Sequence, residues 1–445
     1  MSRPPAPADA APADAGRAGL FAWCLYDFAN SAFPTVVITF VFSAYFVRAV
    51  AADVEAGTAA WGQAMAIAGL ATAVLSPVLG AVADRSGRRK PWILVCSAIC
   101  ILAGGGLWFV RPDPSYVLLG LTLAVIASIA FEVGTVFYNA MLPDLVPPSR
   151  IGRWSGWAWG IGYLGGLLCL VVALFGLVMT PMPLFGLDKA TSEHVRAVAP
   201  LTAIWFAVFA LPFFVLTPDR APTGVAPWAA ARAGLGRIWH TLRHLGAERN
   251  IARFLVARLF YTDALNTLFA FGGIYAAGTF GMGFDEVIMF GIALNVTAGL
   301  GAGAFGWIDD RIGPKPTILI AILGLVLFGT AVLLAESKSW FWVFGLAIGI
   351  FVGPAQAASR SLMAHLAPPE RESEMFGLFA LSGKATSFMG PALLAWATLA
   401  FDSQRAGMAT IIVFFAIGFA ILLGVDSQRR PATRQGWKAA PGHPI

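Results

Sequence analysis

The sequence predicts an all-α membrane protein, with twelve transmembrane helices in two pseudo-symmetric six-helix bundles. Three observations predict it. Apolar runs of about 18 residues or more recur along nearly the whole chain, each long enough to cross a ~30 Å hydrocarbon core as helix. Hydrophobic residues make up 58% of the 445 and charged residues 12%, against roughly 25% charged in soluble domains. Finally, the same short patterns occur twice, in the same order. A membrane β-barrel would instead alternate polar and apolar residues in segments of about ten.

The elements follow in order. Residues 1–19, rich in Ala, Pro and Asp, read as a disordered tail rather than a signal peptide, since no cleavable small-residue site precedes an apolar run. The first bundle, 20–217, holds spans at 20–46, 61–82, 92–110, 116–142, 152–179 and 199–217. A linker at 218–253 follows. In it Leu235, Ile238, Trp239, Leu242 and Leu245 recur at helical spacing, which predicts an amphipathic helix on the membrane surface. The second bundle, 254–425, holds spans at 254–278, 287–308, 317–335, 340–364, 374–399 and 407–425, and 426–445 is a second tail. Internal Pro34, Pro77, Pro212, Pro354 and Pro391 are expected to be compatible with continuous membrane helices, where neighbours resatisfy the backbone.

Charge gives the orientation. Of the 30 Lys and Arg residues, 21 fall in loops on the amino-terminal side and six on the other. The remaining three, Arg258, Arg360 and Lys384, lie inside spans. By the positive-inside rule both termini are cytoplasmic. The net charge of +6 is thereby explained without nucleic acid as a partner.

Several chemistries find no support. Cys24, Cys96, Cys100 and Cys169 form no Cys-x-x-Cys pair and read as small core residues. His240 and His244 stand one turn apart but lack a third ligand, so no metal is expected. There is no phosphate-binding Gly-rich loop, so no nucleotide or other cofactor is called for. No histidine lies in the body of a span, which leaves a membrane enzyme or receptor as a remote alternative. Gly160-x-Gly162-x-x-Gly165 is formally a dinucleotide fingerprint, but on an apolar span it reads as small residues for close helix packing.

The repeat has three parts. Asp27-x-x-Asn30-Ser31-x-Phe33 matches Asp263-x-x-Asn266-Thr267-x-Phe269. Gly80, Asp84, Arg85 and Gly87 match Gly306, Asp310, Arg311 and Gly313. Leu145, Pro147, Pro148, Arg150 and Gly156 match Leu366, Pro368, Pro369, Arg371 and Gly377. A doubled six-span unit is how many transporters are built, with the substrate between the halves near the bilayer midplane.

Gly80-x-x-x-Asp84-Arg85-x-Gly87-Arg88-Arg89 resembles the signature loop of the major facilitator superfamily. Tyr26 to Phe33, Asn139-Ala140-Met141-Leu142-Pro143-Asp144 and the Asp263 to Phe269 segment resemble a narrower branch. That branch contains the vacuolar amino-acid effluxers of autophagy and their bacterial relatives. The resemblance implies a secondary solute carrier, with amino acids as candidate solutes, and the short loops imply a bacterial inner membrane. It also implies that spans one, four, seven and ten line the cavity. A lipid or lysolipid transporter with a lateral opening is the alternative.

Six ionisable residues fall in the body of the spans, away from the terminal residues at which Arg153 and Glu374 stand: Asp27, Glu132 and Asp263 against Arg258, Arg360 and Lys384. Each costs about 2.5–3.5 kcal/mol at mid-membrane and should face protein or a water-filled cavity. The candidate substrate or coupling residues are Asp27, Asn30, Glu132, Asn139, Asp263, Asn266, Gln356, Arg360 and Lys384. Lys384 and Arg360 are expected to hold an anionic group, and Asp263 with Asn266 an amine or the coupling proton. Glu132 is a candidate proton carrier, because desolvation disfavours the charged form of a carboxylate. A second set, Gly80, Asp84, Arg85, Gly87, Arg88, Asp144, Asp310 and Arg311, forms the candidate gating loops. There the arginines, with Arg89, are expected to pair with Asp144, Glu370, Glu372 or Glu374, and Asp84 to cap a helix amino terminus. Partners implied are a small-molecule substrate, membrane lipids and protons.

Overall fold

The computed structural model describes residues 15–181, 184–223 and 248–426. Among them, eleven helices are long and apolar enough to cross a membrane. The first half holds α1 (Gly16–Val50), α2 (Val54–Ser86), α3 (Lys90–Phe109), α4 (Pro114–Leu145), α5 (Pro148–Val178) and α6 (Glu193–Leu216). The second holds α7 (Arg249–Phe280), α8 (Asp285–Ile312), α9 (Pro314–Leu334), α10 (Lys338–Leu366) and α12 (Gln404–Leu423).

The remaining span, α11, is broken. Its inner segment runs Glu372–Lys384 and its outer segment Met389–Ala400. The expected continuous helix at 374–399 is therefore corrected to two short ones. The break leaves backbone N–H groups of the outer segment without helical partners. The Asp263 carboxylate in α7 answers one of them, accepting from the Gly390 N–H at 2.9 Å.

Two boundaries also move. α1 starts at Gly16 inside the expected tail, where the Gly19 carbonyl accepts from the Thr217 hydroxyl at 2.9 Å and so ties the start of α1 to the end of α6. α7 starts at Arg249 inside the expected linker. The amphipathic helix at 235–245, His240, His244 and most of both tails lie outside the described residues.

Local chemistry sets the helix ends. Asp53 and Ser337 accept from the N–H groups of Ala56 and Trp340 and so cap α2 and α10. Gly87 ends α2 and Gly313 ends α8, with φ of +81° and +93°, conformations that L side chains rarely adopt. These are equivalent positions of the two repeats. α1 loosens into π-helix over Phe33–Phe40, directly after the serine of its Asp-x-x-Asn-Ser pattern, with Pro34 in the first turn.

The buried apolar side chains of both halves form one continuous cluster. In the first half, Trp23 stacks on Tyr138 with ring centroids 4.7 Å apart, and Tyr26 packs against Tyr138 and Phe213. The halves meet along two seams, α2 against α11 and α5 against α8. Both seams depend on glycine. A Cβ on Gly80 would stand 2.3 Å from the Ser373 carbonyl oxygen, and one on Gly156 would stand 2.4 Å from that of Ala302.

Candidate functional site

Two layers of polar chemistry lie between the halves. The first sits at the end carrying the signature loops, called here the basic end. Asp84 at the end of α2 accepts from the N–H groups of Ser373 and Glu374, both at 2.9 Å. These belong to the first turn of α11, in the opposite half. Asp310 at the end of α8 accepts from the Arg153 N–H at 3.0 Å, in the first turns of α5, again across the halves. The repeat thus builds two equivalent cross-half caps. In each, a carboxylate meets the positive end of a helix dipole.

Arg89 is the hub of this layer. It is almost fully buried and pairs with Asp144 at 2.6 Å and Glu372 at 2.9 Å, while its Nε donates to the Ser373 hydroxyl at 3.1 Å. Burial alone would push the guanidinium down. Asp144, Glu372 and Asp84 outweigh it and hold the group above the ordinary arginine range. Arg220, just past α6, joins the same carboxylates at 2.7 Å (Asp144) and 2.6 Å (Glu372). Next to it, Asp219 accepts from the N–H groups of Arg89 and Lys90, and the Thr223 hydroxyl donates to the Arg85 carbonyl. The segment after α6 is therefore a strap across the α2–α3 turn. Arg88 and Arg311 are exposed and make no side-chain hydrogen bond or ion pair among the described residues.

The second layer is a chamber of about 330 Å³ lined by α1, α4, α5, α7, α10 and α11. Arg360 of α10 crosses into the first half here. Its Nη1 reaches Asp27 and Asn139, both at 3.1 Å, its Nε donates to the Ser155 hydroxyl at 2.9 Å, and its Nη2 donates to the Ser155 carbonyl at 2.7 Å. Four of its five donors are thus engaged by protein, and Trp23 stands 5.1 Å from the guanidinium carbon. Lys384, in the last turn of the inner segment of α11, pairs with Glu132 of α4 at 2.7 Å. Both side chains of this pair are about one-third exposed to the chamber.

Asn30 and Asn266 line the chamber, and Gln356 accepts there from the Tyr163 hydroxyl at 3.2 Å. Asp263 does not line it. It is buried against α11 at Gly390, with no basic side chain within ion-pair distance among the described residues. Its other carboxylate oxygen and the Thr267 hydroxyl, one turn on, are buried without a hydrogen-bond partner.

The repeat explains this inequality. Asn139 and Arg360 occupy equivalent places, each six residues before the leucine of the third pattern. Asp27 therefore finds an arginine across the interface, whereas the place that would serve Asp263 holds an asparagine. Sequence reasoning did not assign roles to Arg220, Arg258 or Ser155. The signal for Arg258 was its charge within a span; Arg220 and Ser155 carry no local signal, because their partners are distant in sequence.

Beyond the chamber, away from the basic end, lies a more apolar vestibule of about 390 Å³, walled by Phe269, Tyr275, Phe290 and Phe341 among others. The two share Pro34.

Two similar bundles, closed on each other at one end around a charged chamber, define a membrane transporter of the major facilitator class. The fold matches the proton:xylose symporter XylE bound to a glucose analogue (TM-score 0.68, 14% identity, covering 91% of this chain and 94% of that one). It also matches the transporter FucP in its outward conformation (TM-score 0.71, 14% identity, covering 92% and 100%). The chain belongs to the family described as "Vacuole effluxer Atg22 like", whose model matches residues 61–434. It is 26% identical over 409 residues to the uncharacterized MFS-type transporter YxiO of Bacillus subtilis (strain 168), covering 91% of this chain and 94% of that one. It is 25% identical over 308 residues to autophagy-related protein 22 of Cryptococcus neoformans var. neoformans serotype D (strain B-3501A), covering 63% of this chain and 54% of that longer protein.

Proposed function

We propose that this transporter moves a small polar solute by alternating access, with amino acids as the leading class and protons as the coupling ion. The observation that carries it is the chamber itself, in which charges of both signs meet between two halves that bond at the basic end. By the distribution of Lys and Arg that end faces the cytoplasm of a bacterial inner membrane, with both termini on the same side. The bonded state is then the one open to the outside. Rocking of the halves would break the Asp84 and Asp310 caps and the Arg89 cluster, and would expose the chamber to the cytoplasm. The amino-acid class comes from the vacuole effluxer description of the family.

Proton coupling is assigned to Glu132 and Asp263. Glu132 is exposed to the chamber and can exchange its partner Lys384 for a proton. Asp263 is a buried acid without a basic partner among the described residues, and such groups are costly to keep charged. The test is uptake into proteoliposomes of labelled amino acids, sugars and lipids, with and without a proton gradient. Gradient-dependent uptake of an amino acid is expected; no uptake of any polar solute would sink the reading.

One observation favours a lipid or lysolipid as the solute. A groove of about 520 Å³ runs between α5 and α8, from the Trp157–Trp307 ring contact to Tyr163 and Asn295, which also line the vestibule. Lipid transport in the same assay, with polar solutes ignored, would select this second reading.

A further inference from the structure

Five charged residues line the chamber: the acids Asp27 and Glu132, and the bases Arg258, Arg360 and Lys384. Asp27 pairs with Arg360 and Glu132 with Lys384. One positive charge, that of Arg258, is left over. Asp263, the remaining acid of the spans, is turned away onto the Gly390 N–H.

The surroundings of Arg258 hold its guanidinium in one orientation with no carboxylate in ion-pair contact among the described residues; Glu132, paired with Lys384, acts on it only at longer range. The plane lies on the Phe379 ring, with the guanidinium carbon 3.5 Å from the ring centroid. Nη1 donates to the Phe379 carbonyl and, at 2.9 Å, to the Ser382 hydroxyl. Nε is buried with no hydrogen-bond partner, and Nη2 makes none among the described residues. No carboxylate stands within ion-pair distance of the guanidinium among the described residues.

An unneutralised cation at membrane depth is costly, and such residues mark solute pathways. The stacked ring and the two neutral acceptors fix its position, but they leave its charge and Nη2 uncommitted. The chamber lining also includes the apolar side chains Phe131, Leu265 and Phe376, and the chamber shares Pro34 with the aromatic vestibule.

We propose that Arg258 is the anion-binding residue of the chamber and that the solute is an organic monoanion. Its carboxylate lies on Nη2 of Arg258, the one guanidinium nitrogen that is both unbonded and open to the chamber, and its apolar body lies along the chamber wall. With Glu132 ionised, one negative charge balances the lining, so the loaded chamber carries no net charge. This rests on the transport reading and narrows its solute from the amino-acid class to a carboxylate with a net charge of minus one. It differs from the expectation that Arg360 holds the anion, because the donors of Arg360 are engaged by Asp27, Asn139 and Ser155.

The test uses the full-length protein in detergent and two probes of nearly equal shape, benzoate and benzamide. Trp159 lines the chamber, so intrinsic tryptophan fluorescence and thermal shift both report occupancy. Benzoate is expected to bind saturably and at least about tenfold more tightly than benzamide, since the two differ chiefly in one charge-assisted pairing. Arg258→Ala should abolish the benzoate response, and Arg258→Lys should keep a weakened one. Equal responses to the two probes, no response to benzoate, or a wild-type response in Arg258→Ala each overturn the proposal. The wild-type comparison decides even where Arg258→Ala does not fold. Uptake of neutral solutes with no preference for anions would overturn it while leaving the transport reading intact; uptake of nothing would remove the transport reading itself.

Discussion

Asp84 and Asp310 do the same job from opposite halves. Each stands at the end of the second helix of its bundle and accepts backbone N–H bonds from the helix that opens the other bundle's fifth span. The basic end is therefore held by a pair of related caps, reinforced on the α2–α11 side by the Arg89 and Arg220 cluster.

Asp84→Asn should loosen this end. It removes the charge from two hydrogen bonds, each worth about 1.5–3 kcal/mol. The readout is thiol labelling of Ser76→Cys, a fully buried position on the α2–α11 seam beside Gly377. Labelling from the basic side should speed up about tenfold or more in the Asp84→Asn background. An unchanged rate, with unchanged transport, would remove the cap from the gate.

The Asp27–Arg360 pair lends itself to a double-mutant cycle. Asp27→Asn leaves a buried guanidinium facing a neutral side chain, and Arg360→Met leaves a buried carboxylate. Each should cost about 3–5 kcal/mol and lower the melting temperature in detergent. The double variant should be less destabilised than the sum of the two. Strict additivity would show that the pair contributes no coupling.

Glu132→Gln should abolish uptake driven by a proton gradient and leave solute exchange in place. It also frees Lys384, so solute affinity should change in the same variant. Gradient dependence identical to wild type would remove Glu132 from the proton route and leave Asp263 to carry it.

Gly87 and Gly313 separate backbone strain from crowding. Alanine at either must adopt a positive φ outside the left-handed helical region, costing about 1–3 kcal/mol. At Gly87 the new Cβ would also stand 2.5 Å from the Ala221 carbonyl oxygen of the strap, whereas at Gly313 the nearest atom is 3.9 Å away. Gly87→Ala should therefore lower the melting temperature more than Gly313→Ala and also speed Ser76→Cys labelling. Equal effects would mean that the strap yields without cost.

The architecture was legible because its signals are local. Span length, loop charge and the repeated patterns each need only short windows of sequence, and together they place two six-helix bundles. The break in α11 was legible only in part. Ala385 to Phe388 contains no proline or glycine, but Gly390-Pro391 follows directly, and a proline lacks an N–H and crowds the carbonyl four residues back, here that of Ser387. The group that makes the break tolerable, Asp263, belongs to another helix and has no local signal. The candidate residues were identifiable as polar groups in apolar runs, but their pairings were not. Arg360 and Lys384 look equivalent in sequence. One is tied by four hydrogen bonds in the first half and the other keeps about a third of its side chain open to the chamber. Arg258 emerges only by elimination, once the other four charges have found each other.

The inequality between Asn139 and Arg360 reaches further than stability. A carrier assembled from two identical six-helix copies would have the same residue in both places, and its two acids would be indistinguishable. Divergence at this one level gives the two acids unequal partners: Asp27 is held across the interface by a guanidinium, and Asp263 is held within its own lobe by a backbone N–H. The two lobes therefore couple to each other unequally at this depth, and a change at Asp27 reaches the opposite lobe directly while one at Asp263 does not.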